Sequence, residues 1–217
     1  MKLYLPGTRI GGFKLVELLI IVTILAVLAL MLLPAFTRAR SKARSICCNC
    51  NLKQIGLGFR QWDIDHTNLF PMQVSVEFGG TKERIALGET FRHFEAASNE
   101  LNTPFILVCP ADKTRTPAMS FGPSLNNSNV SYFVGLEADE TQPERFLTGD
   151  RTIFKGVRPL DGVVGLTTNN FAGWSVNFHH GSINVALADG SVQGFSSNRL
   201  REALGSTGVQ TNWLQLP

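Results

Sequence analysis

The feature that most constrains this chain is an apolar run close to its N-terminus. From Leu18 to Ala35 no residue is charged, and leucine, isoleucine, valine and alanine dominate. A helix of about 20 apolar residues spans the hydrocarbon core of a bilayer, and a helix satisfies every backbone polar group there. The run therefore predicts a transmembrane helix over residues 13–35.

One carboxylate, that of Glu17, stands at the edge of this run. An unpaired charge inside a membrane costs roughly 2.5–3.5 kcal/mol even on insertion-based scales. Either Glu17 marks the point where the helix leaves the membrane, or another group neutralises it.

Two ordinary interpretations of the N-terminus fit poorly. A secretory signal peptide has an apolar core of about 7–15 residues and a small-residue cleavage site. The run here is longer, and the sequence around Pro34 and Phe36 is a poor cleavage site. An uncleaved signal anchor fits the length, but it does not account for Gly12, Phe13 and Glu17.

Those three residues resemble the processing site of type IV prepilins and type II secretion pseudopilins. That motif is a glycine, usually a phenylalanine, and a glutamate four residues beyond the phenylalanine, so Gly12, Phe13 and Glu17 match it. Lys14 departs from the pattern, because threonine is common there. The resemblance implies that a prepilin peptidase removes residues 1–12, and that the new amino group of Phe13 is methylated.

The resemblance also assigns Glu17 to assembly. Cleavage leaves an ammonium group on Phe13 at the membrane edge, and Glu17 of the same or a neighbouring subunit can neutralise it. The resemblance places the N-terminus in the cytoplasm and the rest of the chain outside. Counting positive charges does not favour this orientation, because more basic residues follow the run than precede it.

Residues 36–62 keep a helical pattern and predict an amphipathic stem. Apolar residues recur every three or four positions, as expected for one face of a helix. They are Ala39, Ala43, Ile46 and Cys50, and then Cys48, Leu52, Ile55, Phe59 and Trp62. Gly56 and Gly58 weaken the helix, but no proline interrupts it. We therefore expect one helix from about Leu15 to Trp62.

Three further segments resemble a bacterial group of pseudopilin-like proteins built around a domain of unknown function. They are the Cys48–Leu57 segment, the Val108-Cys109-Pro110 segment, and a His179-x9-Asp189-Gly190 pattern (H-x9-DG) near the C-terminus. The first two imply a Cys48–Cys109 disulfide, with two free buried thiols as the alternative. The four cysteines do not form two CxxC pairs, so no zinc ribbon is predicted.

Residues 63–217 are broken by Gly, Pro, Asn and Thr into short segments and predict a small head domain. Strand candidates are 105–109, 131–136, 163–166, 174–178 and 183–187. Helices are expected over 87–101, with Phe91, Phe94 and Leu101 facing inward, and over 198–204, with Asn198 as N-cap. The predicted fold class is α+β, a long N-terminal helix packed on an antiparallel sheet, as in pilins.

Asp189-Gly190 lies between two apolar runs and predicts a hairpin with a type I′ turn. We expect His179 to hydrogen-bond across the sheet and fix this hairpin. Catalysis by His179, His180 and Asp189 would need Ser182 or Ser191 as nucleophile, and Asp189 already has a structural role in the turn. A metal site through His179 and Asp189 is a weaker alternative.

Four acidic residues cluster around one predicted strand end, and calcium takes six to eight oxygen ligands. The candidates are Glu137, Asp139, Glu140 and Asp150. Their spacing is not that of an EF-hand, and an acidic surface loop is the simpler interpretation. No cofactor is predicted apart from this calcium alternative.

The sequence as a whole predicts a structural subunit rather than an enzyme. The net charge of +3 does not indicate nucleic-acid binding. The expected partners are a prepilin peptidase, other pilin-like subunits and inner-membrane lipid. The chain would span the inner membrane once, hold its head in the periplasm, and assemble into a type II secretion pseudopilus or a type IV pilus-like filament. The alternative is a tethered binding module, for carbohydrate or exported protein, that does not assemble.

Overall fold

One long helix, α1, spans Leu15–Asp65 and confirms the helix expected from about Leu15 to Trp62. The computed structural model describes residue 12, residues 14–171, residue 173, residues 178–179 and residues 181–217. The chain divides into two compact units, Met1–Arg40 and Ser41–Pro217. The part of α1 in the first unit exposes its apolar side chains and is long and apolar enough to cross a membrane.

The second unit holds a six-stranded sheet, and it confirms the predicted α+β class. All strand pairs are antiparallel, in the order β3-β6-β1-β2-β4-β5. The strands are β1 (Tyr132–Gly135), β2 (Phe146–Asp150), β3 (Val163–Leu166), β4 (Ile183–Leu187), β5 (Val192–Phe195) and β6 (Asn212–Gln215). The described residues also form three short α-helices, α2 (Phe91–Ala96), α3 (Ser98–Leu101) and α4 (Ser197–Ser206), and five 3-10 helices. The 3-10 helices are Val76–Phe78, Lys82–Leu87, Pro104–Leu107, Asn127–Asn129 and Arg151–Ile153.

The stem part of α1 packs on one face of this sheet. Its predicted stripe of Cys48, Leu52, Ile55, Phe59 and Trp62 is buried, together with sheet residues such as Tyr132, Val134 and Leu147. The stripe that includes Ile46 and Cys50 is exposed instead. The interface with the sheet is therefore formed by the stripe from Cys48 to Trp62, whose side chains contact apolar residues of the sheet.

The opposite face of the sheet carries a second core. Phe133, on the central strand β1, points into this second core while its neighbours Tyr132 and Val134 point toward α1. Leu200 and Leu204 of α4 cover this second face. Because both faces are buried, β1, β2 and β4 are buried at every position.

Several local predictions were wrong in detail. Residues 105–109 are not a strand: Pro104–Leu107 is a 3-10 helix, because Thr103 caps it and Pro104 presets its first turn. The helix expected over 87–101 is split into α2 and α3. The closing helix begins at Ser197, so its N-cap is Ser196 and not Asn198.

The hairpin between β4 and β5 is confirmed, but its turn is not type I′. Gly190 has a φ of 83°, whereas Asp189 is not among the described residues with positive φ. The amide of Gly190 donates to the carbonyl of Leu187, and Asp189 Oδ1 accepts from the amide of Ser191. This is a wider loop with one left-handed residue, which glycine adopts without strain. The strand expected at 174–178 lies largely outside the described residues.

The core packing of α1 predicts a large difference between two leucines on the same helix. Leu52 is fully buried, whereas Leu57 is 61% exposed. We expect Leu52→Ala to lower the free energy of unfolding by about 2–5 kcal/mol. Leu57→Ala should change it by less than about 0.5 kcal/mol. Urea denaturation of the detergent-solubilised chain, followed by tryptophan fluorescence, measures both; equal effects would contradict the packing described.

A buried histidine predicts acid sensitivity. His93 Nε2 lies 2.6 Å from Gln215 Oε1 and Nδ1 lies 2.6 Å from Thr81 Oγ1, so the imidazole joins α2 to β6. Burial lowers the pKa of His93 to about 4, against the opposing effect of the Gln215 hydrogen bond.

The unfolded chain therefore binds a proton at His93 between about pH 6.5 and 4, and the folded chain does not. The contribution of neutral, buried His93 to the free energy of unfolding is fully present above pH 6.5 and is lost as the pH falls toward 4. Between pH 7 and 4, the free energy of unfolding of the wild type should fall by on the order of 3 kcal/mol more than that of His93→Gln. Identical losses in the two proteins, measured by urea denaturation, would refute the assignment.

Candidate functional site

The N-terminal motif is described from Gly12 onward, except for Phe13, which lies outside the described residues. Glu17 Oε2 accepts a hydrogen bond from the backbone amide of Lys14 at 3.0 Å. The carboxylate of Glu17 thus turns back toward the first residue of the helix, in the manner of the glutamate of a capping box.

A second set of candidate residues lies inside the head. Cys48, Cys109, Asp150 and His179 each offer one ligand atom, and these atoms all lie within 4.8 Å of one another. All four residues are buried, and the side chains of Asp150 and His179 are 0% and 1% exposed. This cluster, called here the Cys–Asp–His cluster, is the only such group within the described ranges.

Four separate segments supply the members of the cluster. Cys48 belongs to the stem part of α1, and Cys109 follows the 3-10 helix Pro104–Leu107. Asp150 ends β2, and His179 precedes β4. The cluster therefore joins the stem helix, a loop and the sheet at one point.

The contacts inside the cluster are short and continuous. Cys48 Sγ lies 3.3 Å from Asp150 Oδ1, and Cys109 Sγ lies 3.5 Å from His179 Nε2. His179 Nε2 is also 3.4 Å from Asp150 Oδ2. His179 Nδ1 is buried and has no hydrogen-bond partner among the described residues.

Neighbouring groups fix the orientation of these side chains. The Tyr132 hydroxyl lies 3.4 Å from Cys48 Sγ, and the backbone amide of Asn184 donates to Asp150 Oδ2 at 2.7 Å. Asn51, nearly one turn after Cys48, donates to the carbonyl of Val108 at 3.2 Å, and so holds the segment that carries Cys109 against α1.

A largely buried ion pair beside the cluster joins the segment that carries Cys109 to the end of β2, which carries Asp150. Arg151 donates to both carboxylate oxygens of Asp112, at 2.7 and 3.2 Å, and Ser131 adds a third hydrogen bond. Burial alone would raise the pKa of Asp112, but the guanidinium of Arg151 and the bonds from Thr114 lower it. Because Asp112 and Arg151 are close in sequence to Cys109 and Asp150, their pairing positions the cluster.

The pKa values in the cluster are strongly displaced. Burial raises the pKa of the Cys48 thiol well above its ordinary value. The hydrogen bond with Cys48 lowers the pKa of Cys109 to about 6, and His179 adds to the effect. Burial alone would lower the pKa of His179, but Asp150 and Cys109 outweigh it and raise that pKa to about 10. Cys109 and His179 thus tend toward a thiolate–imidazolium pair.

The structure brings together some of the predicted site residues and separates others. Cys48 and Cys109 meet as expected, but as free thiols and not as a disulfide. His179 contacts Asp150 rather than the hairpin, so its expected role in fixing Asp189-Gly190 was wrong. Asp189 instead receives a hydrogen bond from Arg60 at its backbone carbonyl.

The four calcium candidates do not form one site. Asp150 is buried in the Cys–Asp–His cluster, whereas Asp139 is half-buried and accepts two hydrogen bonds from Thr141. Glu140 pairs with Arg60 of the stem helix at 2.7 Å. The calcium prediction rested on acids close together in the chain, and it did not foresee strand β2, which carries Asp150 away from the others.

Comparisons of the chain with protein-family models, with curated proteins and with solved structures found no match in any of the three.

Thiol reactivity separates the four cysteines. Cys47 and Cys50 are exposed, whereas Cys48 and Cys109 are buried. In the reduced, folded chain we expect a maleimide to label Cys47 and Cys50 rapidly and the buried pair only after denaturation. Peptide mass spectrometry locates the labels. If protein isolated without reductant leaves Cys48 and Cys109 unlabelled even in denaturant, the disulfide implied by the resemblance has formed.

Proposed function

We propose that the chain is a prepilin-like structural subunit that is anchored by α1 and assembles through it. The observation that carries this proposal is the composition of α1. An exposed apolar segment with a single carboxylate at its start is followed, in the same helix, by a segment packed on a sheet. An exposed apolar surface of this length requires lipid or other apolar helices around it.

The position of Glu17 gives the assembly step a physical basis. Its carboxylate bonds the Lys14 amide in the described chain, so it already faces the N-terminal end of α1. After cleavage, the ammonium of Phe13 would offer a full positive charge close by. Pairing within or between subunits would remove the cost of two isolated charges at the membrane edge, so pairing favours association.

The proposed role of the head is structural. The chain would be the substrate of a prepilin peptidase and not an enzyme, with the head held in the periplasm and the anchor in the inner membrane. A secretion pseudopilus and a pilus-like filament use the same chemistry, and both belong to this proposal.

Processing is tested at the N-terminus. In a host with a prepilin peptidase, mass spectrometry should find a chain that begins with methylated Phe13. Gly12→Val should abolish this product, because the processing motif that the chain resembles has a glycine directly before the cut. Gly11→Val, one residue earlier, is the matched control and should leave the product unchanged. A chain that keeps Met1, or begins after Ala35, would refute the proposal.

Assembly is tested at Glu17. Glu17→Ala should leave membrane insertion intact and reduce cross-linked or filamentous material by about tenfold or more, because one charge then lacks its partner. Thr23→Val removes a polar group from the same helix, where Thr23 bonds the carbonyl of Ile20, and should assemble normally. Normal assembly of Glu17→Ala would favour a tethered binding module instead.

A further inference from the structure

We propose that Cys48, Cys109, Asp150 and His179 form a closed structural zinc site that fastens the stem helix to the head. This inference does not depend on assembly, because the site lies wholly within the second unit.

The first argument is chemical. Two thiols, one imidazole and one carboxylate are ligand types that zinc takes in proteins, in sets of four for structural sites. Thiolates select soft or borderline ions, and a mixed sulfur–nitrogen–oxygen set in a tetrahedral arrangement favours zinc over magnesium or calcium. No zinc ribbon was predicted, and this site differs from one because its ligands come from four segments.

The second argument is geometric. Ligand atoms bound at about 2.0–2.3 Å to one tetrahedral ion lie roughly 3.3–3.8 Å from each other. Cys109 Sγ lies 3.5 Å from His179 Nε2, and the two oxygens of Asp150 lie 3.3 Å from Cys48 Sγ (Oδ1) and 3.4 Å from His179 Nε2 (Oδ2). The remaining separations are all within 4.8 Å. Small side-chain adjustments would therefore place all four atoms around one ion.

The third argument is electrostatic. A buried carboxylate beside two sulfur atoms is costly unless a cation balances it. The nearby guanidinium of Arg151 is already engaged by both oxygens of Asp112. Within the cluster, His179 is the only side chain that carries positive charge. A divalent ion in place of the thiol protons and the extra imidazole proton would offset two of the three negative charges that the two thiolates and the carboxylate then carry.

The surroundings have the character of a second coordination shell. The Tyr132 hydroxyl contacts Cys48 Sγ, and the backbone amide of Asn184 donates to Asp150 Oδ2, the oxygen that also lies near His179. Groups in such positions orient the ligands of metal sites. All four ligands are buried, which leaves no open position for substrate and indicates a structural site.

The metal content of the full chain tests the site. Protein purified in detergent, under reductant and from zinc-supplemented cells, should contain about one zinc ion per chain. Cys109→Ser and His179→Gln should retain less than about a tenth of that amount. Cys47→Ser and Cys50→Ser, which alter exposed cysteines on the same helix as Cys48, are the matched controls and should keep the full amount.

Cobalt(II) gives a readout that needs no variant and so does not depend on how the variants fold. Reduced, metal-free wild type should bind one cobalt ion and show the visible bands of tetrahedral cobalt with thiolate charge transfer, and zinc should abolish them. Tyr132→Phe should weaken zinc binding by about tenfold, because it removes the contact to Cys48 Sγ.

Three results would overturn the inference. One is wild-type protein that takes up neither zinc nor tetrahedral cobalt after reduction. Another is full zinc content in Cys109→Ser. The third is loss of zinc in Cys47→Ser or Cys50→Ser, which would place the ion on the exposed thiols. Failure of Glu17→Ala to impair assembly would leave the zinc content untouched, so the two proposals fail separately.

Discussion

The structure depends on the burial of one stripe of α1 against the sheet. The stripe from Cys48 to Trp62 is buried on the first face of the sheet, and without it Tyr132, Val134 and Leu147 would face water. At about 25 cal/mol per Å² of apolar surface, contacts of this kind are the main favourable contribution to folding. On another side of α1, Gly58 permits the close approach of α3, because a Cβ there would lie 2.6 Å from Leu101 Cδ2.

Polar groups at the edge of this interface determine how the helix and the sheet are aligned. Arg60 binds both Glu140 and the hairpin carbonyl of Asp189, and Asn51 binds the carbonyl of Val108. Apolar packing is not directional, whereas these bonds require a defined register. The Cys–Asp–His cluster lies within the same interface and joins α1 to the three other segments that carry Cys109, Asp150 and His179.

Periodicity made the helix and several strands predictable. An uncharged run and a three-and-four spacing are local properties, so α1 could be predicted over nearly its full length, as could β1, β3 and β4. The strand predicted at 105–109 was wrong because its apolar residues fit a buried strand, whereas Thr103 and Pro104 start a 3-10 helix there. β2 and β6 were missed because Gly149, Asp150, Asn212 and Gln215 suggest a loop, yet each is buried by the neighbouring strands or layers.

The sequence by itself determined the long apolar helix and the antiparallel α+β class. It predicted two apolar stripes on that helix without deciding which one packs, and through the resemblance it implied that Cys48 meets Cys109. It also singled out His179, through the H-x9-DG pattern, but assigned it to the wrong neighbour. Only the tertiary structure placed Asp150 and His179 beside the two cysteines. Four segments far apart in the chain converge there, and no local pattern encodes such a convergence; strand pairing and the Asp112–Arg151 ion pair produce it.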